Sequence, residues 1–183
     1  GMAAMFTMMN NARLGVGGQG IAVAEAAYQK ALAFAKERTQ GKPLMGGTSI
    51  VGHADVRRML AEMKADVFAA RSIGAACAFA IDMAKVKGDK KWVREAAFLT
   101  PITKAFGTDV GIDVSQLGIQ IHGGMGFIEQ TGASQFLRDV RVTAIYEGTN
   151  GIQAMDLVSR KMMDEGEAAF SKMEEIEVFI KEI

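Results

Sequence analysis

Val56-Arg57-Arg58-Met59-Leu60-Ala61-Glu62-Met63-Lys64-Ala65-Asp66-Val67-Phe68-Ala69-Ala70-Arg71-Ser72-Ile73-Gly74-Ala75-Ala76-Cys77-Ala78-Phe79-Ala80-Ile81-Asp82-Met83-Ala84 carries one unbroken apolar pattern. Val56, Leu60, Met63, Val67, Ala70, Gly74, Cys77, Ile81 and Ala84 fall at alternating spacings of four and three. Each pair of spacings sums to a heptad, about two turns, so these side chains form one stripe along a long helix that lies against partner helices. Ala70 and Gly74 lack bulk and would let a partner approach closely midway along.

The pattern recurs on either side. Leu99, Ile102, Phe106, Val110, Val114, Leu117 and Ile121 form a second stripe, and an Ala-rich first helix is predicted over residues 5–38. Gln40-Gly41-Lys42-Pro43 and Gly46-Gly47-Thr48-Ser49 separate the first two helices, and Lys87-Gly88-Asp89-Lys90 separates the next two. A Gly-rich break at His122–Phe127 leads to a short helix near 133–139, a turn at Glu147, and two last helices at about 150–163 and 165–182. No period-2 strand of useful length is present. The expected fold is all-α: an up-and-down four-helix bundle with extra short helices.

Composition narrows the function. Apolar residues make up 49% of 183, charged residues 23%, and the formal net charge is zero. Such a chain has no bias toward nucleic acid or acidic partners. The basic cluster Lys85-Val86-Lys87-Gly88-Asp89-Lys90-Lys91 is short and reads as a solvated turn. Thirteen Met at helical spacings read as core filler. Cys77, the one cysteine, reads as a small buried hydrophobe. No uncharged apolar run reaches the roughly 18 residues of a membrane span and no signal-peptide pattern is visible, so a cytoplasmic location is expected.

Several motifs admit chemical readings. Gly15-Val16-Gly17-Gly18-Gln19-Gly20 fits the G-x-G-x-x-G dinucleotide fingerprint, but no strand precedes it, so its glycines are expected to thin a helix face for close packing. No metal site is expected: His53 and His122 are the only histidines, and neither follows a Glu at the required spacing. Gln120-Ile121-His122-Gly123-Gly124 ends a long helix with two adjacent glycines, either a plain C-cap or a place where a ligand reaches bare backbone. Arg38 ends the first helix, where its guanidinium would either cap carbonyls or meet a phosphate. Tyr146-Glu147-Gly148-Thr149-Asn150 sets one carboxylate in a tight turn between apolar segments. Glu147 is either a solvated turn residue, with Thr149 or Asn150 capping the next helix, or a shielded carboxylate suited to proton abstraction.

Taken in order, these elements resemble the C-terminal helical domain of the flavin-dependent acyl-CoA dehydrogenases over residues 5–162. The specific parts are Gln120-Ile121-His122-Gly123-Gly124-Met125-Gly126-Phe127, Arg138 through Asn150, and Glu37-Arg38 before Gly41-Lys42. The resemblance implies α,β-dehydrogenation of an acyl-CoA thioester, with Glu147 as the α-proton base and FAD as hydride acceptor. Some relatives carry their base on the first helix instead; the matching residue here is Ala12, which leaves the role to Glu147. By the same carry-over Arg38, Gln120, Gly123 and Gly124 would hold the FAD of a neighbouring subunit, and Thr149 would contact the flavin of its own. Arg13 and Asn10 match positions near the CoA nucleotide, while Tyr146 and Gly148 flank the base. The implied partners are the acyl-CoA substrate, an electron-transferring flavoprotein or similar acceptor, and further copies of the chain in a homodimer or homotetramer.

Two features depart from the family pattern. The turn after Arg38 is one residue short and lacks the usual Phe, and Gly151 stands where many relatives carry Gln. Residues 1–183 are expected to form a single C-terminal helical domain, without the N-terminal helical and middle β-domains of a full member. Weak or no FAD retention and no dehydrogenase activity are expected of this chain alone. The alternative is a non-enzymatic helical module, either for oligomerisation through the Val56–Ala84 seam or for binding acyl-CoA.

Overall fold

The computed structural model describes residues 1–163 and 166–183; the side chains of residues 2–4, 6 and 7 are left aside. Three long helices dominate: α1 (Met2–Glu37), α2 (Ala54–Lys87) and α3 (Lys90–His122). Four shorter ones follow: α4 (Gly124–Phe127), α5 (Ala133–Val140), α6 (Asn150–Asp156) and α7 (Glu167–Glu182). Among the described residues the only β pairing is an isolated antiparallel bridge between Thr39 and Ser49, which closes the loop after α1. The fold is the all-α bundle expected. Its fourth corner is composite, since α5 and α6 pack on α3 where a long helix would lie. The helix expected over 150–163 stops at Asp156 and continues as one π-turn, Leu157–Lys161. Residue 165, the expected start of the last helix, lies outside the described residues.

Local sequence sets the helix ends. Gly88 closes α2 in the left-handed conformation (φ 63°), and the Asp89 carboxylate accepts from the Lys91 N–H at 2.9 Å to cap α3. The Lys85–Lys91 cluster is solvent-exposed as its composition indicated, but only Gly88-Asp89 is turn, with Lys85–Lys87 in α2 and Lys90-Lys91 in α3.

The α2 seam faces inward. Leu60, Met63, Val67, Ala70 and Cys77 are buried, and Val56, Gly74, Ile81 and Ala84 are half-buried. The buried part of this stripe packs within the chain, where α2 lies against α1 and α3. By length and composition α2 could cross a membrane. The same composition suits a core helix, and its outer face carries Arg57, Arg58, Glu62, Lys64 and Arg71.

Methionine does not fill the core as expected. Met59 and Met63 are buried, but Met5, Met8, Met45, Met125, Met155, Met162, Met163 and Met173 are exposed. Small residues take their place because the helices lie too close for long side chains. Ala24, Ala27, Ala31 and Ala35 line the inner face of α1. A Cβ on Gly20 would stand 2.4 Å from the Gly107 carbonyl oxygen, and one on Gly17 would stand 2.7 Å from that of Thr103. Two glycines of the G-x-G-x-x-G match thus serve a helix crossing, as the absence of a preceding strand implied. The register (Gly17 at Thr103, Gly20 at Gly107, Phe34 at His122) makes α1 and α3 parallel, with their C-termini at one end of the bundle.

Candidate active site

A 3-10 turn, Arg141–Ala144, brings the chain from α5 to the segment before α6. There Glu147 adopts φ 54°, the one positive φ among described non-glycine residues. Gly148 follows at φ 86°. Left-handed backbone is disfavoured for a residue with a Cβ and persists only where its surroundings over-determine it. Those surroundings are hydrogen bonds from both flanks. Tyr146 donates its phenol to the Gln19 side-chain oxygen on α1. Thr149 caps α6, its Oγ1 accepting from the Ile152 N–H at 3.3 Å. The Gln153 amide Nε2 donates to the carbonyls of Glu147 (3.3 Å) and Gly148 (3.1 Å). Glu147 itself is half-buried, so it is neither a free surface carboxylate nor a sealed one.

Beneath the turn a polar network joins α3 and α6, buried at Lys104 and Thr108. Lys104, with no exposed surface, donates from Nζ to Asn150 Oδ1 at 2.9 Å. The Asn150 amide donates to Asp109 Oδ1 at 2.7 Å and to Thr108 Oγ1 at 2.9 Å. Burial pushes the Lys104 ammonium below the ordinary lysine range; Asp109 opposes that shift, Arg13 adds to it, and Glu147 opposes it again. The carboxylate of Glu147 therefore shares an electrostatic neighbourhood with two cations and one anion.

Arg13, expected near the CoA nucleotide, is buried and pairs with Asp156 at 3.0 Å, the two side chains 6% and 5% exposed. A second cation, Arg160, lies 2.9 Å from the other Asp156 oxygen. Asn10, exposed, accepts from Arg13 at 3.4 Å and stays available to solvent.

The other expected site residues lie elsewhere. Arg38 and Gln120 are exposed at the C-terminal ends of α1 and α3, beside Gly123 and Gly124. Twenty-five positions of chain separate Arg13 from Arg38, roughly 37 Å at 1.5 Å per helical residue. The structure thus groups Glu147, Tyr146, Gly148, Thr149, Arg13 and Asn10 at one level, and Arg38, Gln120, Gly123 and Gly124 at the far end. His122 at that end is structural: its Nδ1 meets the Gly118 carbonyl at 2.7 Å and its ring stacks on Phe34. His53 bonds the Gln40 carbonyl at 2.8 Å and steadies the loop after α1. Cys77 is fully buried against Thr100, where burial pushes its thiol up. Among the described residues no cluster of His, Cys, Asp or Glu is arranged to hold a metal ion.

Sequence reading missed Lys104, Asn150, Gln153 and Asp156 as site residues. One signal for the first was present. Lys104, Thr108, Gly111, Ser115, Gly118 and His122 recur at helical spacing, a stripe of small and polar residues beside the apolar one, and all are buried. It marks the face of α3 that meets α1 and α6.

Beside the turn is an open cleft of about 450 Å³, walled by Ile112, Ala144 and Ile145 and edged by Asp109, Arg141, Thr149, Asn150 and Gly151. An apolar wall with a rim of hydroxyl, amide, carboxylate and guanidinium groups can take a largely apolar ligand with polar edges. The model of the acyl-CoA dehydrogenase C-terminal domain matches residues 1–163. A 3-methylmercaptopropionyl-CoA dehydrogenase from Ruegeria pomeroyi is 46% identical over 91% of the chain and 29% of its own length. The solved butyryl-CoA dehydrogenase of Megasphaera elsdenii aligns with a TM-score of 0.70 at 30% identity, over 82% of this chain and 36% of its own. A structure described as the electron transferring flavoprotein of Acidaminococcus fermentans aligns with a TM-score of 0.69 at 30% identity, over 81% and 36%. The chain belongs to the acyl-CoA dehydrogenase family and corresponds to its C-terminal domain. It spans about a third of the length of these relatives.

Proposed function

We propose that this domain supplies the catalytic base and part of the flavin site of an FAD-dependent acyl-CoA dehydrogenase that removes hydrogen across Cα–Cβ of an acyl-CoA thioester. The observation that carries the reading is Glu147 held at φ 54° in the turn between Ile145 and Thr149, both of which line the cleft. A carboxylate carried on backbone that hydrogen bonds from α1 and α6 hold in place has less freedom to lose when it takes a proton from a bound substrate. The Glu147 N–H would polarise the thioester oxygen and acidify the α-carbon as negative charge develops there.

The residues fit the flavin in two separated sets. Thr149, Asn150 and Gly151 offer a polar rim beside an apolar wall, and Arg38 with Gln120 offers a cation and an amide next to open glycine backbone, as a pyrophosphate requires. FAD, when bound, supplies the acceptor for the β-hydride. The distance between the sets supports the second one serving the flavin of another copy, in a homodimer or homotetramer. An electron-transferring flavoprotein is the proposed acceptor, and the cytoplasm the proposed location.

The test is Glu147→Gln in the native full-length polypeptide, loaded with FAD and assayed with butyryl-CoA and a dye acceptor. Turnover should fall by at least about 100-fold, the low end for a positioned base, with flavin content unchanged. Normal turnover in that variant would overturn the assignment.

A further inference from the structure

We infer that Gln153 is a positioning residue that holds the Glu147 base in its reactive conformation. The inference rests on the reading of Glu147 as base, and begins from an unusual use of a glutamine. Gln153 sits in the first turn of α6 and is only 1% exposed, among the most completely buried side chains of the domain. Its carboxamide donates to two successive backbone carbonyls, those of Glu147 and Gly148. Its own Oε1 has no partner. A buried amide that leaves its acceptor unpaired is retained for what its N–H groups do.

What they do is set two peptide planes. A trans peptide carries its N–H opposite its C=O. With both carbonyls turned toward α6, the N–H groups of Gly148 and Thr149 face the other way, and neither has a protein acceptor among the described residues. Fixing the peptide that follows Glu147 fixes its ψ. Together with the Tyr146–Gln19 bond on the preceding side, this determines where the Cα–Cβ bond of Glu147 points. Gly148 leaves the amide its seat: a Cβ there would stand 2.8 Å from Gln153 Nε2. The rest of α6 holds Gln153 in turn, through Asn150 to Lys104 on one side and Asp156 to Arg13 on the other.

Packing alone would be satisfied by any side chain of the same shape; the clamp needs N–H donors. Gln153→Met keeps length without donors, and Gln153→Glu keeps shape but replaces the donor with an acceptor facing two carbonyls. Both are to be assayed in the native full-length polypeptide, loaded with FAD, with butyryl-CoA as probe. The expected result is a fall in kcat of about tenfold or more in both variants (about 1.4 kcal/mol of barrier per tenfold), with KM within about twofold. Exchange of the butyryl-CoA α-protons in D2O, which reports proton abstraction without turnover, should slow in parallel. Gln153→Asn, with its amide retracted by one carbon, serves as the milder variant if the others do not fold, and should show the same split at smaller amplitude. The inference is overturned if kcat per bound flavin and the exchange rate stay at the parent value while only melting temperature or flavin content drops. Glu147→Gln run alongside separates the two ideas. If it keeps turnover, the base assignment fails and takes this inference with it; if it is inactive while Gln153→Met turns over normally, only the clamp fails.

Discussion

The two ends of the α1–α3 pair are built on opposite principles. Around Arg13, Lys104 and Glu147, charged and amide groups are buried and engaged across three helices. Around Arg38, Gln120, Gly123 and Gly124, the corresponding groups stand in solvent, and the buried residue, His122, bonds its own helix. The first end supplies its own support, which suits a base whose direction must not drift. The second offers a cation, an amide and bare backbone, which suits a surface completed by something from outside. Burial therefore separates what this domain positions from what it presents.

Arg13→Met should break the first end most severely. It leaves buried Asp156 with only the exposed Arg160 beside it, and removing one member of a buried pair costs at most about 3–5 kcal/mol. Chemical denaturation of the domain measures the loss, and the double variant with Asp156→Leu should recover most of it. Recovery is the informative arm, because it distinguishes an unpaired charge from a packing defect.

A smaller effect, at the other end, comes from His122. Burial holds its imidazolium below the ordinary histidine range, with the Gly118 carbonyl opposing and Lys30 adding to the shift. The native state then binds a proton less readily than the unfolded chain. Stability is full above the ordinary histidine pKa and falls as pH drops from there toward the lowered native value. Thermal melts across mildly acidic pH should show this slope in the parent and a flatter one in His122→Gln.

The smallest stability effect belongs to Arg38→Ala, expected within about 0.5 kcal/mol of the parent because the side chain is exposed and unpaired among the described residues. Its effect should appear in FAD retention by the full-length polypeptide, which falls if the far end serves a flavin. A large loss of stability, or unchanged retention, would remove the distinction between the two ends.

Much of this molecule is legible along the chain because helical periodicity is local. The seam at Val56–Ala84, the break at Lys87–Lys90 and the turn at Glu147 are each decided within a few residues by side-chain bulk, glycine and capping. The exposed methionines were misjudged, and the inward small-residue face of α3 was missed, for one reason. How closely two helices approach depends on both partners, and the glycines of α1 that set the crossing lie some 87 positions from Gly107 in α3. The sequence by itself determined the helices, their order, the family pattern and the carboxylate in its turn. Only the tertiary structure decided that Arg13 is spent on Asp156, 143 residues away, that Lys104 reaches Asn150, and that Gln153 grips the turn. Those contacts depend on the register between packed helices, and register is fixed by the fit of two surfaces rather than by any one stretch of chain.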